Sequence, residues 1–77
     1  MPDKNTEILI VGLGLMGGPY ARALTAAGYR VSAIDRDPEA IRYALGEGII
    51  AAGAADADPD LIGRADLVVF ALYPHAL

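Results

Sequence analysis

Short, wholly apolar runs alternate along this chain with stretches in which apolar positions recur every three or four residues. Ile8-Leu9-Ile10-Val11 is continuous, the pattern of a strand buried on both faces of a parallel sheet. From Met16 the apolar positions Met16, Tyr20, Ala23, Leu24 and Ala27 trace one helical face, with Arg22 and Thr25 off it, and Gly28 ends the helix. Residues 30–34 form the second strand, with Asp35 at its carboxyl end. Asp37-Pro38-Glu39 is a helix start: a capping side chain, a proline at the first helical position and an acid at the positive end of the dipole. Ile41, Ala44, Leu45 and Gly48 give this helix its inward face, Gly46 and Gly48 close it, and Ile49-Ile50-Ala51 is the third strand. Asp58-Pro59-Asp60 repeats the capping signal. Only Leu61, Ile62 and Ala65 follow before Asp66, so this crossover helix has one or two turns, and residues 67–72 are the fourth strand. Residues 51–58 are a small-residue loop, the most mobile segment expected.

Strands that alternate with helical crossovers define an α/β fold with a parallel sheet. Right-handed connections put the first two helices on one face and the third crossover on the other. The predicted strand order is 3-2-1-4, part of a doubly wound (Rossmann) sheet, and residues 1–77 form the amino-terminal part of one such domain. The crevice at the carboxyl ends of strands 1 and 4, where the strand order reverses, is the expected ligand site.

The residues at that crevice have a matching chemistry. Gly12-Leu13-Gly14-Leu15-Met16-Gly17 is a Gly-x-Gly-x-x-Gly turn directly after the first strand. Gly12 allows the sharp turn, Gly14 has no Cβ to hold a diphosphate off the backbone, and Gly17 lets the helix lie close to the sheet. The first amides of that helix lack partners within it and sit at its positive end, so an anion completes them. Asp35 follows Gly17 by 18 residues, where an acid accepts hydrogen bonds from an adenosine ribose and repels the 2′-phosphate of NADP. NAD is therefore the expected cofactor. Arg36 either lies over the adenine as a flat cation or extends into solvent. Residues 8–34 contain no Asp or Glu and only Arg22 and Arg30, a local field suited to an anionic ligand.

Composition removes other classes. A formal charge of −4 argues against nucleic acid or an anionic membrane as partner. The absence of cysteine excludes a disulfide framework and fits a cytoplasmic location. No apolar run is long enough for an export signal or a membrane span, and no His, Cys or acidic cluster has metal-ligand spacing. His75, the only histidine, has no partnered acid in sight and is not assigned a catalytic role; Tyr20, Tyr29 and Tyr43 read as packing residues.

Four segments together resemble the amino-terminal part of the prephenate dehydrogenase family. They are the glycine turn from Ile10 to Gly18, Ala33-Ile34-Asp35-Arg36-Asp37-Pro38-Glu39-Ala40, the stretch Ala44-Leu45 through Gly48-Ile49-Ile50, and Ala65-Asp66-Leu67-Val68-Val69-Phe70-Ala71-Leu72-Tyr73-Pro74. Pro19 departs from the serine more usual in that family. Gly-Leu-Gly-x-Met-Gly-x-Pro also resembles the 3-hydroxyisobutyrate dehydrogenase group, the second family considered. The first resemblance implies oxidative decarboxylation of prephenate to 4-hydroxyphenylpyruvate in tyrosine biosynthesis, with hydride passing to NAD. It adds Leu13, Leu15, Met16, Tyr73 and Pro74 to a cofactor site of Gly12, Gly14, Gly17, Asp35 and Arg36. The family's catalytic histidine and substrate-binding arginine lie later than this chain reaches, so no catalytic residue carries over.

The leading expectation is thus the NAD-binding part of a dehydrogenase, inactive alone. A non-catalytic NAD-binding module and a structural fragment that folds only in an assembly are the alternatives. The short third crossover leaves one sheet face thinly covered and strand 4 with an open edge, from which a homodimer is expected.

Overall fold

The computed structural model describes residues 5–14 and 17–71. Seven elements follow one another: β1 (Glu7–Val11), α1 (Gly17–Ala26), β2 (Arg30–Ile34), α2 (Pro38–Gly46), β3 (Ala52–Ala54), α3 (Pro59–Arg64) and β4 (Leu67–Phe70). All strand pairs are parallel and the order is β3-β2-β1-β4, as the crossover pattern predicts. β1 is central, and its Ile8, Leu9 and Ile10 are buried. A strand covered on both faces needs apolar side chains at consecutive positions, which is why β1 reads as an unbroken run.

Successive side chains point to opposite faces. Ile8, Ile10, Val31 and Ala33 pack under α1 and α2 with Ala21, Ile41 and Ala44, while Leu9 and Ile34 pack under α3 with Leu61. The two long helices therefore share one face and the short one takes the other, as right-handed crossovers require. The predicted caps form. The Asp37 carboxylate accepts from Glu39 N at 3.0 Å, and Asp58 accepts from Asp60 N at 2.9 Å and Leu61 N at 3.2 Å.

Several local expectations are corrected. The third strand is not residues 49–51 but Ala52–Ala54. Ile49 and Ile50 both donate their N–H to Ala44 O, at 2.8 and 3.3 Å, closing α2 beyond Gly48 in its left-handed conformation (φ +70). Their side chains join the core instead of the ladder. Part of the supposed small-residue loop is accordingly strand. A Cβ on Gly53 would lie 2.9 Å from both Ile41 Cγ2 and Ile50 Cδ1, so the strand is small because those isoleucines fill the space above it.

The inward face of α1 also differs. Gly17 and Ala21 are buried and Leu24 packs on the core, whereas Tyr20, Ala23 and Ala27 are exposed or partly so. The helix lies so close to the sheet that small residues, not large ones, mark the contact. In α2, Ile41 and Ala44 are buried as expected, but Leu45 is exposed. The last strand is described to Phe70; Leu72 lies outside the described residues.

At the amino ends of the strands, Glu7 holds Arg30 at 3.4 Å and Arg64 at 3.8 Å. Glu7 N donates to Asp66 Oδ2 at 2.9 Å and Asp66 N donates to Glu7 O at 2.8 Å. This polar cluster ties β1, β2, α3 and β4 together at the end of the sheet away from the glycine turn. On the α3 face, coverage is incomplete: Leu9 pairs with Val68 and Val11 with Phe70, and Phe70 remains 70% exposed, Ile62 48% and Val68 38%. An apolar depression of about 430 Å³ lies among them.

Candidate functional site

β1 ends at Val11, and the chain reverses toward α1 at Gly12, whose φ of +99° is open to glycine but strained for a residue with a Cβ. Gly12 N donates to Ile34 O at 2.8 Å, so the turn stays tied to β2 as it leaves β1. Gly17 then passes hard against it. A Cβ there would lie 1.8 Å from Gly12 O and 2.8 Å from Gly12 C, so the first helical residue of α1 and the first turn residue touch backbone to backbone. Gly18 N donates to Gly14 O at 3.2 Å, and Pro19 sits in the first helical turn, where no intrahelical N–H bond is lost.

Asp35 stands at the carboxyl end of β2, half-buried, with its own N–H bonded to Ala54 O at 3.1 Å. Its carboxylate is engaged on both oxygens. Oδ2 accepts from Leu13 N at 2.6 Å and Oδ1 accepts from Asp37 N at 2.8 Å. Each oxygen keeps further lone-pair capacity for an incoming hydroxyl.

Gly12, Leu13, Gly14, Asp35 and Arg36 all line one cleft of about 490 Å³, together with Val11, Ile34, Asp37, Ala40 and Ala71. That volume falls within the ~300–1,000 Å³ of small-molecule sites. Gly17 lies behind this wall and sets its position. Leu15, Met16, Tyr73 and Pro74 lie outside the described residues, as does His75. Five wall residues, Val11, Ile34, Asp37, Ala40 and Ala71, were not among the expected site residues. Ala71 follows β4, and since Phe70 pairs with Val11 and Ala71 N donates to Val11 O at 2.9 Å, it meets the turn directly; that parallel register was the available signal. Ala40 had no signal beyond its small size.

The cleft joins the glycine-flanked turn at Gly12 to Gly14, which leads into the amino end of α1, to the Asp35 carboxylate, features that suit a dinucleotide. A second groove, about 640 Å³, runs between α1 and α2 past Ala23, Ala26 and Tyr43. Its lining includes Gly14, Arg22 and the start of α1 at Gly18 and Pro19, but it contains no carboxylate, which the cleft supplies at Asp35. Among the described residues, no group of three His, Cys, Asp or Glu could hold a metal ion, and no helix is long and apolar enough to cross a membrane.

A parallel sheet in the order 3-2-1-4 with a glycine turn and a strand-end acid at its switch point defines a dinucleotide-binding α/β domain. Residues 7–76 match the family model of the NAD binding domain of 6-phosphogluconate dehydrogenase, and the chain belongs to that family of NAD-binding domains. It is 43% identical over 56 residues to a 3-hydroxyisobutyrate dehydrogenase of Pseudomonas aeruginosa, a match that covers 73% of this chain and 17% of that protein. Among solved structures, prephenate dehydrogenase from A. aeolicus, in complex with hydroxyphenyl propionate and NAD+, superposes with a TM-score of 0.74 and 33% identity, over 84% of this chain and 23% of that one. An imine reductase from Pseudomonas sp. superposes with a TM-score of 0.72 and 33% identity, over 86% and 22%. The chain thus spans about a fifth of the length of the proteins it matches. The expected fold and cofactor stand, and the resemblance to dehydrogenases stands at the level of the NAD-binding domain.

Proposed function

We propose that this chain is the NAD-binding part of an oxidoreductase of the 3-hydroxyisobutyrate dehydrogenase type, which passes a hydride between a small hydroxy acid and NAD. The observation that carries the cofactor role is the convergence of the glycine turn and the doubly engaged Asp35 carboxylate on one cleft. The substrate class is supported by the 43% identity to the Pseudomonas aeruginosa enzyme and by Pro19 in Gly-Leu-Gly-x-Met-Gly-x-Pro. On this reading the resemblance to the 3-hydroxyisobutyrate dehydrogenase group outweighs that to prephenate dehydrogenase. Prephenate dehydrogenase remains the second reading, favoured by its superposition and by the segment from Asp35 to Ala40.

NAD, when bound, supplies the hydride acceptor. The chain's own residues bind and orient it. Gly12, Leu13, Gly14, Leu15, Met16 and Gly17 form the diphosphate turn, and the free amides at the start of α1 meet the negative charge. Asp35 accepts from the adenosine ribose and disfavours a 2′-phosphate, Arg36 flanks the adenine, and Tyr73 and Pro74 are further proposed cofactor contacts. No residue of this chain is assigned to proton transfer, so turnover requires groups from elsewhere. A second copy of the chain, seated on the bare face beside β4, is the proposed partner, and the cytoplasm the proposed location.

Calorimetric titration of the chain with NAD and NADP tests the cofactor role. NAD binds better, and Asp35→Ser narrows the gap; a wild-type preference for NADP would overturn the assignment of Asp35. The two substrate readings separate in chimeras. Residues 7–76 placed in the Pseudomonas aeruginosa enzyme should sustain oxidation of 3-hydroxyisobutyrate, while the corresponding chimera of the A. aeolicus enzyme should fail on prephenate. The opposite pattern favours the second reading.

A further inference from the structure

Asp35 is held more firmly than ribose recognition alone would need. Its two carboxylate oxygens reach two different loops: Oδ2 takes the Leu13 N–H of the β1–α1 turn at 2.6 Å, and Oδ1 takes the Asp37 N–H at the entry to α2 at 2.8 Å. Leu13 lies between Gly12 and Gly14 and is itself buried. Its amide direction therefore fixes how the glycine turn presents its backbone to the cleft. Next to it, Gly12 N is tied to Ile34 O, the residue before Asp35, so two consecutive turn amides are anchored at the end of β2.

We propose that Asp35 is a positioning residue for the diphosphate turn, in addition to facing the ribose, so that the same carboxylate couples the two halves of the cofactor's AMP moiety. This rests on the NAD reading of the cleft. A carboxylate acceptor at 2.6 Å from the Leu13 amide makes a strong bond of this kind. A consequence follows for cofactor exchange. Replacing Asp35 to admit NADP also loosens the turn that must hold the diphosphate, so such a variant loses affinity for any ligand that uses the turn, including one with no ribose.

The test uses the whole chain, labelled with 15N, and two variants. Asp35→Asn keeps the shape and one carbonyl oxygen but turns the other position into a donor, so one of the two loop amides must lose its acceptor. Asp35→Ala removes both. Amide hydrogen exchange in the ligand-free protein should quicken about tenfold or more at Leu13 or Asp37 in Asp35→Asn and at both in Asp35→Ala, the loss expected for a hydrogen bond to a charged group. Exchange at core amides such as Ile10 stays as in the wild type. Inorganic pyrophosphate, which has no ribose, should bind several-fold more weakly to Asp35→Ala. Unchanged exchange at both Leu13 and Asp37 in either variant, or unchanged pyrophosphate affinity in Asp35→Ala, with NAD still bound by the wild type, overturns the positioning role and leaves the cofactor reading intact. Wild-type protein that binds neither NAD nor pyrophosphate overturns both.

Discussion

A Cβ added at Gly17 would meet the carbonyl oxygen of Gly12 well inside contact distance, which makes Gly17→Ala a severe substitution. In Gly17→Ala the new Cβ would sit 1.8 Å from Gly12 O, where a normal contact is beyond 3 Å. More than an ångström must come from somewhere. Gly12 cannot swing away, because its N–H is bonded to Ile34 O, and on the other side Ala71 Cβ would already be 3.2 Å from the new methyl. α1 must therefore lift at its amino end, loosening Ala21 from the sheet. Overpacking of this kind costs about 1–3 kcal/mol and occasionally more, and a backbone obstacle places this one at the upper end, about 3 kcal/mol. A chain of this length has a total stability of about 4–12 kcal/mol. Urea unfolding followed by circular dichroism reads the loss: with a slope of about 1 kcal/mol/M, the midpoint falls by roughly 3 M. Gly63→Ala, in α3 with nothing within 4 Å of its added Cβ, is the control. It should gain about 0.5–1 kcal/mol by removing glycine's chain entropy from a helix. A Gly17→Ala midpoint within about 0.5 M of wild type would refute the close-packing account.

Asp58→Ala should cost about 1 kcal/mol in the same assay, because the cap serves two amides of a six-residue helix; an unchanged midpoint would mean that Leu61 packing alone holds α3. Sedimentation at micromolar concentration should show self-association, abolished by Phe70→Lys, since a charge at the exposed end of β4 opposes both burial and edge pairing; a monomeric wild type would dismiss the homodimer. The pure chain should not turn over 3-hydroxyisobutyrate or prephenate with NAD, as it offers no assigned general base, and measurable NADH formation would contradict that.

The glycine turn, both aspartate caps and the strand order were legible because each depends on a local signal that tertiary packing did not override. Asp37 and Asp58 cap where the Asp-Pro pairs stand, and the unbroken apolar run of β1 suits its central place. The errors arose where packing decided. Ile49 and Ile50 look like a strand in composition, but their amides are taken by Ala44 O, and the ladder passes to Ala52–Ala54, which has no strand propensity to announce it. α1 misled through its large residues: Tyr20 fits the helical period yet is 47% exposed, because the contact set by Gly17 admits only small side chains nearby. Of the site, Asp35 was visible from spacing, but its grip on Leu13 and Asp37 was not, since hydrogen bonds across 22 residues leave no pattern in sequence.

The two borders of the sheet are not equivalent. β3 is three residues of alanine and glycine, roofed by Ile41 and Ile50, and offers an added strand little length and little side-chain surface. β4 presents four residues with Val68 and Phe70 uncovered. Among the described residues, β4 is thus the border better suited to an added strand. A strand that joins it beside β4 lies on the same side of β1 as the crevice. Lateral growth there would run along the border that carries Ala71, a residue of the cleft wall that donates its N–H to Val11 O.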